Sequence, residues 1–327
     1  MAKHGRRGSN RFAAVSIGAM AAVALLLMAG IAIGMRAAAS RAKQPPAKAA
    51  ASSAAKTATR PPVVPMGSEA PPVPPVTRPA TDQVVPVLMY HHIMPNPNNF
   101  IAISPATFDQ QMKWLQDNGY HAVSMAQLVD FTQTGRRLPE KPVLITFDDG
   151  RMNQLTYGVP ILKKYGFTAT FFVVKKWIDS PSNSFMHAAE LRKLVAEGYD
   201  VESHTNSHTF IVRSRSENYA LMKARLWGET NGMRLWLERV IGRPVTALAY
   251  PGGGTDKLSS QLVKEAGYSV AFTTATGFVR YHAGDPGLLP RWNAGARGLR
   301  LGSFVAIFKK AEALAKPKTS KPATRTP

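Results

Sequence analysis

PVLITFDDG, residues 142–150, decides the fold. Its first six residues are apolar or β-branched without alternation, and then the run stops at Asp148, Asp149 and Gly150. A short continuous apolar run of this kind reads as a strand buried on both faces, as in a parallel sheet covered by helices. VVPVLMYHHI (84–93), on its N-terminal side, has the same form and ends in His91 and His92. Between the two, Phe108, Met112 and Leu115 recur at helical spacing before Asn118-Gly119 stops the helix. Toward the C-terminus the alternation continues. Residues 157–165 read as a helix, FTATFFVV (167–174) as a strand, and 188–197 as a helix closed by Gly198. YDVESHT (199–205) is a strand, 217–240 one long helix, and VTALAYPGGG (245–254) a strand running into a glycine loop. Residues 258–266 form a helix, YSVAFTT (268–274) a strand, and 301–313 the last helix. Strands alternating with helices imply parallel strands joined by helical crossovers, and so many units predict a (β/α) barrel. Barrels of this kind carry their chemistry at the C-terminal ends of the strands.

Around this body the chain has ends of another character. Of 327 residues, 1–82 hold 11 Lys and Arg against 2 Asp and Glu, and 311–327 hold 4 against 1. More than half of the net charge of +21 therefore belongs to the ends. No recognition helix or RNA-binding motif accompanies it, so a nucleic-acid partner is not expected. There is no cysteine, which excludes a disulfide scaffold, a thiolate metal site and a cysteine nucleophile.

Residues 12–35 are 24 residues without a charge, preceded by Lys3, Arg6, Arg7 and Arg11. A helix of that length reaches about 36 Å, enough for a hydrocarbon core of ~30 Å. The basic residues before it favour a cytoplasmic N-terminus. The expected order is a transmembrane signal-anchor (1–36), a linker rich in Pro, Ala and Lys (37–82), the folded domain (83–313) and a basic tail (314–327). That places the protein in a bacterial inner membrane as a single-pass protein, with the domain in the periplasm or at the cell surface. The alternative is a signal peptide cleaved after Ala37-Ala38-Ala39, which would secrete the domain.

Four strand ends carry unusual groups: His91-His92, Asp148-Asp149, His204 with His208, and Tyr250-Pro251-Gly252-Gly253. A His pair four residues apart, or an Asp pair, says little alone. Each of these ends a separate predicted strand, so all can converge at one barrel mouth. Two His and one Asp make a three-ligand set with an open position, the layout of a hydrolytic metal site. A second carboxylate can accept the proton of an attacking water, and a neighbouring histidine can protonate the leaving group.

ITFDDG (145–150), ESHTNSH (202–208) and AYPGGG (249–254), in this order and spacing, resemble the polysaccharide deacetylases of the NodB type over about residues 84–310. PVLMYHHI (86–93) with TFDQQMKWLQDNGY (107–120) is similar to the poly-N-acetylglucosamine deacetylase branch, in which a histidine before TFDDG acts as the acid. The resemblance implies a distorted (β/α) barrel and a metal-dependent hydrolase that removes N-acetyl groups from an envelope polysaccharide. It implies Asp148 as general base, His91 as general acid, the Gly252 N–H in the oxyanion hole, and Asp149, His204 and His208 as ligands of one divalent ion. Zinc is the expected ion, with cobalt and nickel as alternatives. Ala249 stands where many members have an arginine directed at the catalytic Asp, and Arg291 in LPRW (289–292) is the candidate to supply that charge. Tyr250, Pro251, Trp292 and Arg151 are the candidate substrate contacts. A second reading, prompted by Ala249 and the basic ends, is a catalytically silent polysaccharide-binding module on the same fold.

Overall fold

The computed structural model describes residues 79–212 and 217–315. The expected membrane segment at 12–35 and the tail after 315 lie outside them, as does nearly all of the linker. Among the described residues no helix is long and apolar enough to cross a membrane.

In chain order the elements begin with strands β1 (Val87–Tyr90), β2 (His92–Ile93) and β3 (Ala102–Ile103), then helix α1 (Pro105–Asp117), β4 (His121–Ala122), α2 (Met125–Thr134) and β5 (Pro142–Phe147). They continue with α3 (Val159–Tyr165), β6 (Thr170–Val173), α4 (Lys175–Ile178), α5 (Ala188–Ala196), β7 (Asp200–Ser203), α6 (Tyr219–Trp227) and α7 (Met233–Ile241). The last are β8 (Ala247–Ala249), α8 (Lys257–Glu265), β9 (Val270–Phe272), β10 (Trp292–Asn293) and α9 (Leu301–Ala315). The main sheet runs β10-β1-β5-β6-β7-β8-β9, with β4 on the start of β5. All its strand pairs are parallel. It curls into a half-barrel flanked by helices, in keeping with the expected architecture. Leu289 bridges to Phe272 of β9, and Trp292 pairs with Leu88 of β1. Residues 289–293 thus run from the last strand to the first.

α1 shows how sequence sets the packing. Pro105 opens it, Ser104 accepts from the Thr107 N–H, and Phe108, Gln111, Met112 and Leu115 form its buried face. That spacing follows one stripe of the helix. Phe108 meets Tyr90 edge-on at 5.0 Å, and Phe147 stacks on Phe171 at 5.0 Å. Truncating a ring in this cluster to alanine costs about 3–5 kcal/mol.

The long helix expected over 217–240 is present and runs from Tyr219 to Ile241, with a local change of winding. A π-helical turn, Gly228–Gly232, separates α6 from α7, where two glycines lower the resistance to distortion. Sequence reading also missed α2, although Ser124 and Gln127 form a complete capping box in front of an apolar stripe.

Candidate active site

Every parallel strand delivers its C-terminal end to the same mouth. Asp148 and Asp149 follow β5, His91 follows β1, His204 follows β7, and the glycine loop follows β8. The backbone there is unusual. Asp149 (φ 80°), Thr205 (φ 71°) and His208 (φ 60°) are three of the five non-glycine residues with positive φ among those described. Such conformations cost of order 1–3 kcal/mol and persist where surroundings impose them, often at functional sites.

Asp149 Oδ1 lies 3.5 Å from His208 Nε2 and 3.7 Å from His204 Nε2. It is buried and has no hydrogen-bond partner. His204 Nδ1 is 2.8 Å from the Ala249 carbonyl. A carbonyl only accepts, so Nδ1 donates there and Nε2 is the nitrogen left facing the carboxylate. Burial, then His204, lower His208 to about 4, against the pull of Asp149. It is therefore neutral at pH 7 and competent as a ligand. Two imidazole nitrogens and one carboxylate oxygen converge on one point. Ligand atoms about 2.0–2.2 Å from a tetrahedral zinc lie roughly 3.3–3.6 Å apart, close to these separations. The residues fit a divalent cation.

The ligands are braced from behind. Ser207, between the histidines, donates its N–H to Glu229 Oε2 at 2.8 Å and its hydroxyl to Glu229 Oε1 at 2.6 Å. Glu229 sits in the π-helical turn within the predicted long helix. The Trp177 ring packs on His208 at 4.6 Å and stacks on Phe185 at 4.9 Å. Arg151 donates to Asp149 Oδ2 at 3.3 Å and lies over both aromatic rings. Only Oδ1 of that carboxylate is left facing the histidines.

Asp148 has different company. Arg291 donates from Nη1 to Oδ1 and from Nη2 to Oδ2, both at 2.7 Å. The guanidinium is wholly buried, with further bonds to the Thr273 carbonyl and Thr146 Oγ1. Burial alone would raise the Asp148 carboxyl, but Arg291, His204 and His91 outweigh it and hold it well below the usual carboxylate range. Arg291 enters from the segment that joins β9 to β1, not from the position of Ala249. His91 Nε2 lies 3.8 Å from Asp148 Oδ2. Burial lowers this imidazole, with Asp148 and Asp149 pulling it back up.

The glycine loop is jammed in place. A Cβ at Gly252 (φ 58°) would sit 2.6 Å from Phe210 Cε1, and one at Gly253 would sit 2.2 Å from Thr274 Oγ1. Phe210, 59% exposed, lies against this loop two residues after His208. Sequence reading passed over it, and only its nearness to a candidate ligand could have singled it out.

Three expected substrate contacts need correction. Tyr250 is completely buried, with its hydroxyl on the Gly287 carbonyl, and has no face for a sugar; Pro251 is buried beside it. Trp292 follows the inward-pointing Arg291 and turns the other way. It packs against Phe278, under Lys310 of α9, in the outer layer. Arg151 does reach the site.

Comparison with known proteins agrees with this geometry. Residues 135–271 match the sequence profile of the family Polysaccharide deacetylase. The Bacillus subtilis (strain 168) protein YxkH, named as a polysaccharide deacetylase, is 27% identical over 226 residues, which are 69% of this chain and 77% of that one. The poly-β-1,6-N-acetyl-D-glucosamine N-deacetylase of Escherichia coli (strain K12) is 26% identical over 212 residues, 54% of this chain and 32% of that protein. The chain thus spans about a third of that relative's length. The crystal structure of a Bacillus cereus polysaccharide deacetylase superposes with a TM-score of 0.60 at 26% identity, covering 69% of each chain. Motifs, curled parallel sheet and sequence similarity agree: residues 135–271 match the polysaccharide deacetylase family, and the folded body is similar to the poly-N-acetylglucosamine deacetylases.

Proposed function

We propose that this protein is a divalent-metal-dependent N-deacetylase of an N-acetylhexosamine polysaccharide in the bacterial cell envelope. The observation that carries the reading is the buried, unpartnered Asp149 Oδ1 facing two imidazole nitrogens. Asp149, His204 and His208 would hold the ion, with zinc as our assignment and cobalt or nickel as alternatives. When bound, the ion supplies Lewis acidity and brings the pKa of a water it holds toward ~7.

The remaining work falls to the chain. Asp148, kept ionised and in one orientation by Arg291, accepts the proton of the attacking water. The water oxygen adds to the acetamide carbonyl carbon. The Gly252 N–H faces the oxygen on which negative charge develops. His91 gives a proton to the amide nitrogen as the C–N bond breaks, so acetate and the free amine leave. Arg151, Trp177 and Phe210 line the approach, and the relatives' printed names support an N-acetylglucosamine polymer. Residues 12–35 support a membrane tether that holds the domain outside the cytoplasm. The silent-module reading loses its main motive, because the cation absent at position 249 is supplied by Arg291.

The test is acetate release from N-acetylglucosamine oligomers by the metal-loaded chain. Release should stop with a chelator, return with zinc, cobalt or nickel, and be absent in Asp148→Asn. Acetate release indifferent to chelator would sink the reading.

A further inference from the structure

A groove of about 680 Å³ opens beside the mouth, within the roughly 300–1,000 Å³ common for ligand sites. Its floor is α1, with Ser104, Thr107, Gln110 and Gln111, and its rim carries Arg297 and Arg300. It is continuous with the catalytic strand. Ala102, in its wall, pairs with His92, the neighbour of His91. Gln111 ties the Tyr90 hydroxyl to the Ala294 carbonyl, which fixes the groove to β1. No acidic residue lines it. Both arginines are exposed, and among the described residues neither guanidinium has an ion pair or a side-chain hydrogen bond. The hydroxyls and the Gln110 amide on the floor suit sugar hydroxyls, and the two cations on the rim ask for negative charge.

We propose that this groove binds an anionic group, a carboxylate or a phosphodiester, carried by the polysaccharide next to the N-acetylhexosamine being deacetylated. The inference deepens the deacetylase reading and rests on it for the identity of the neighbouring sugar. Its logic is electrostatic. Each acetamide hydrolysed leaves an ammonium group, which the two guanidiniums repel. A neutral polymer would be driven from the groove as its product accumulates, whereas anionic units interspersed along the chain keep it seated.

The experiment uses the full, metal-loaded chain and three oligomers of equal length. One is N-acetylglucosamine alone, one alternates it with glucuronate, and one is linked by phosphodiesters. At low salt the kcat/KM for an anionic oligomer should exceed that for the neutral one by about tenfold, the worth of one charge-assisted contact. The advantage should shrink as salt rises. In the double variant Arg297→Gln/Arg300→Gln it should vanish. Whichever anionic oligomer is preferred identifies the anion. Equal kcat/KM for all three, or an advantage that survives the double variant, overturns the proposal. A binding arm separates this from the deacetylase reading: oligoglucuronate, which has no acetamide, should bind the wild type in calorimetry and not the double variant. Should no oligomer release acetate, the deacetylase reading falls, and the binding arm alone decides for or against an anion groove.

Discussion

Asp148 and Asp149 are neighbours in the chain with opposite surroundings. On one side, Asp148 meets a buried guanidinium that satisfies both its oxygens, sandwiched near the rings of Phe172 and Phe272. On the other, Asp149 presents a bare oxygen to two imidazoles, from a left-handed backbone. The first region is complete within the chain. The second is a set of two nitrogens and one oxygen that a cation would complete. One strand end therefore separates a carboxylate satisfied by protein alone from one left open toward two imidazoles.

The largest effect should come from breaking the complete side. In metal-free protein, Asp148→Asn leaves Arg291 buried without a counter-charge and should cost about 3–5 kcal/mol in a urea melt. Replacing both partners, as Asp148→Leu/Arg291→Met, should recover much of that loss, since a buried pair exchanged for apolar groups is often near neutral. The pH dependence has a definite sign. The folded-state pKa of Asp148 is depressed, so its stabilisation is fully present above the ordinary carboxylate value. It is lost only as pH falls through the lower folded value. The cost of Asp148→Asn should accordingly be flat from pH 5 to 8 and shrink only in acid. A single-variant cost below about 1 kcal/mol would erase the contrast between the two sides.

A smaller effect should appear behind the open side. Glu229 holds Ser207 by two hydrogen bonds and so sets the loop between the two histidines. Glu229→Met keeps the volume and removes both acceptors. Metal affinity, read by competition with a chromogenic chelator, should fall about 10- to 100-fold, as outer-shell changes commonly do. Unchanged affinity would mean that the left-handed conformations at Thr205 and His208 hold the site without this brace.

The same two sides differ in how far sequence reveals them. Asp149 and His204 are legible because each lies at the end of a predicted strand, with His208 four residues on, and parallel strands end on one face. The Asp148–Arg291 pair is harder to see, since its partners are 143 residues apart. The resemblance makes Arg291 a candidate, but the residues alone read equally as a surface ion pair until residues 289–293 are known to join the last strand to the first. That segment forms only isolated ladder contacts, too short to leave a strand pattern. Tyr250 and Trp292 were misjudged for a related reason. Position near a strand end is set by sequence, but which way a side chain turns depends on pleat and curl. Glu229 was hidden inside a long helix, where only Gly228 and Gly232 hint at the π-helical turn.

The smallest and most discriminating effect is the same substitution one residue later. In metal-free protein Asp149→Asn removes a buried oxygen that has no partner and supplies an amide N–H₂ that can donate to the imidazole nitrogens now facing a carboxylate. Asparagine also tolerates the left-handed backbone that the position requires. The Oδ atom that remains can still accept from Arg151. Stability without metal should therefore change by less than about 1 kcal/mol, with a gain rather than a loss as the expected sign. Adding zinc separates the two proteins again. At a free concentration 100 times its dissociation constant, a ligand that binds only the folded state adds about 2.7 kcal/mol, so wild type should melt at a higher temperature while Asp149→Asn does not move. A loss of several kcal/mol in the metal-free variant would mean that Asp149 is as fully partnered as Asp148, and the two regions would no longer differ in kind.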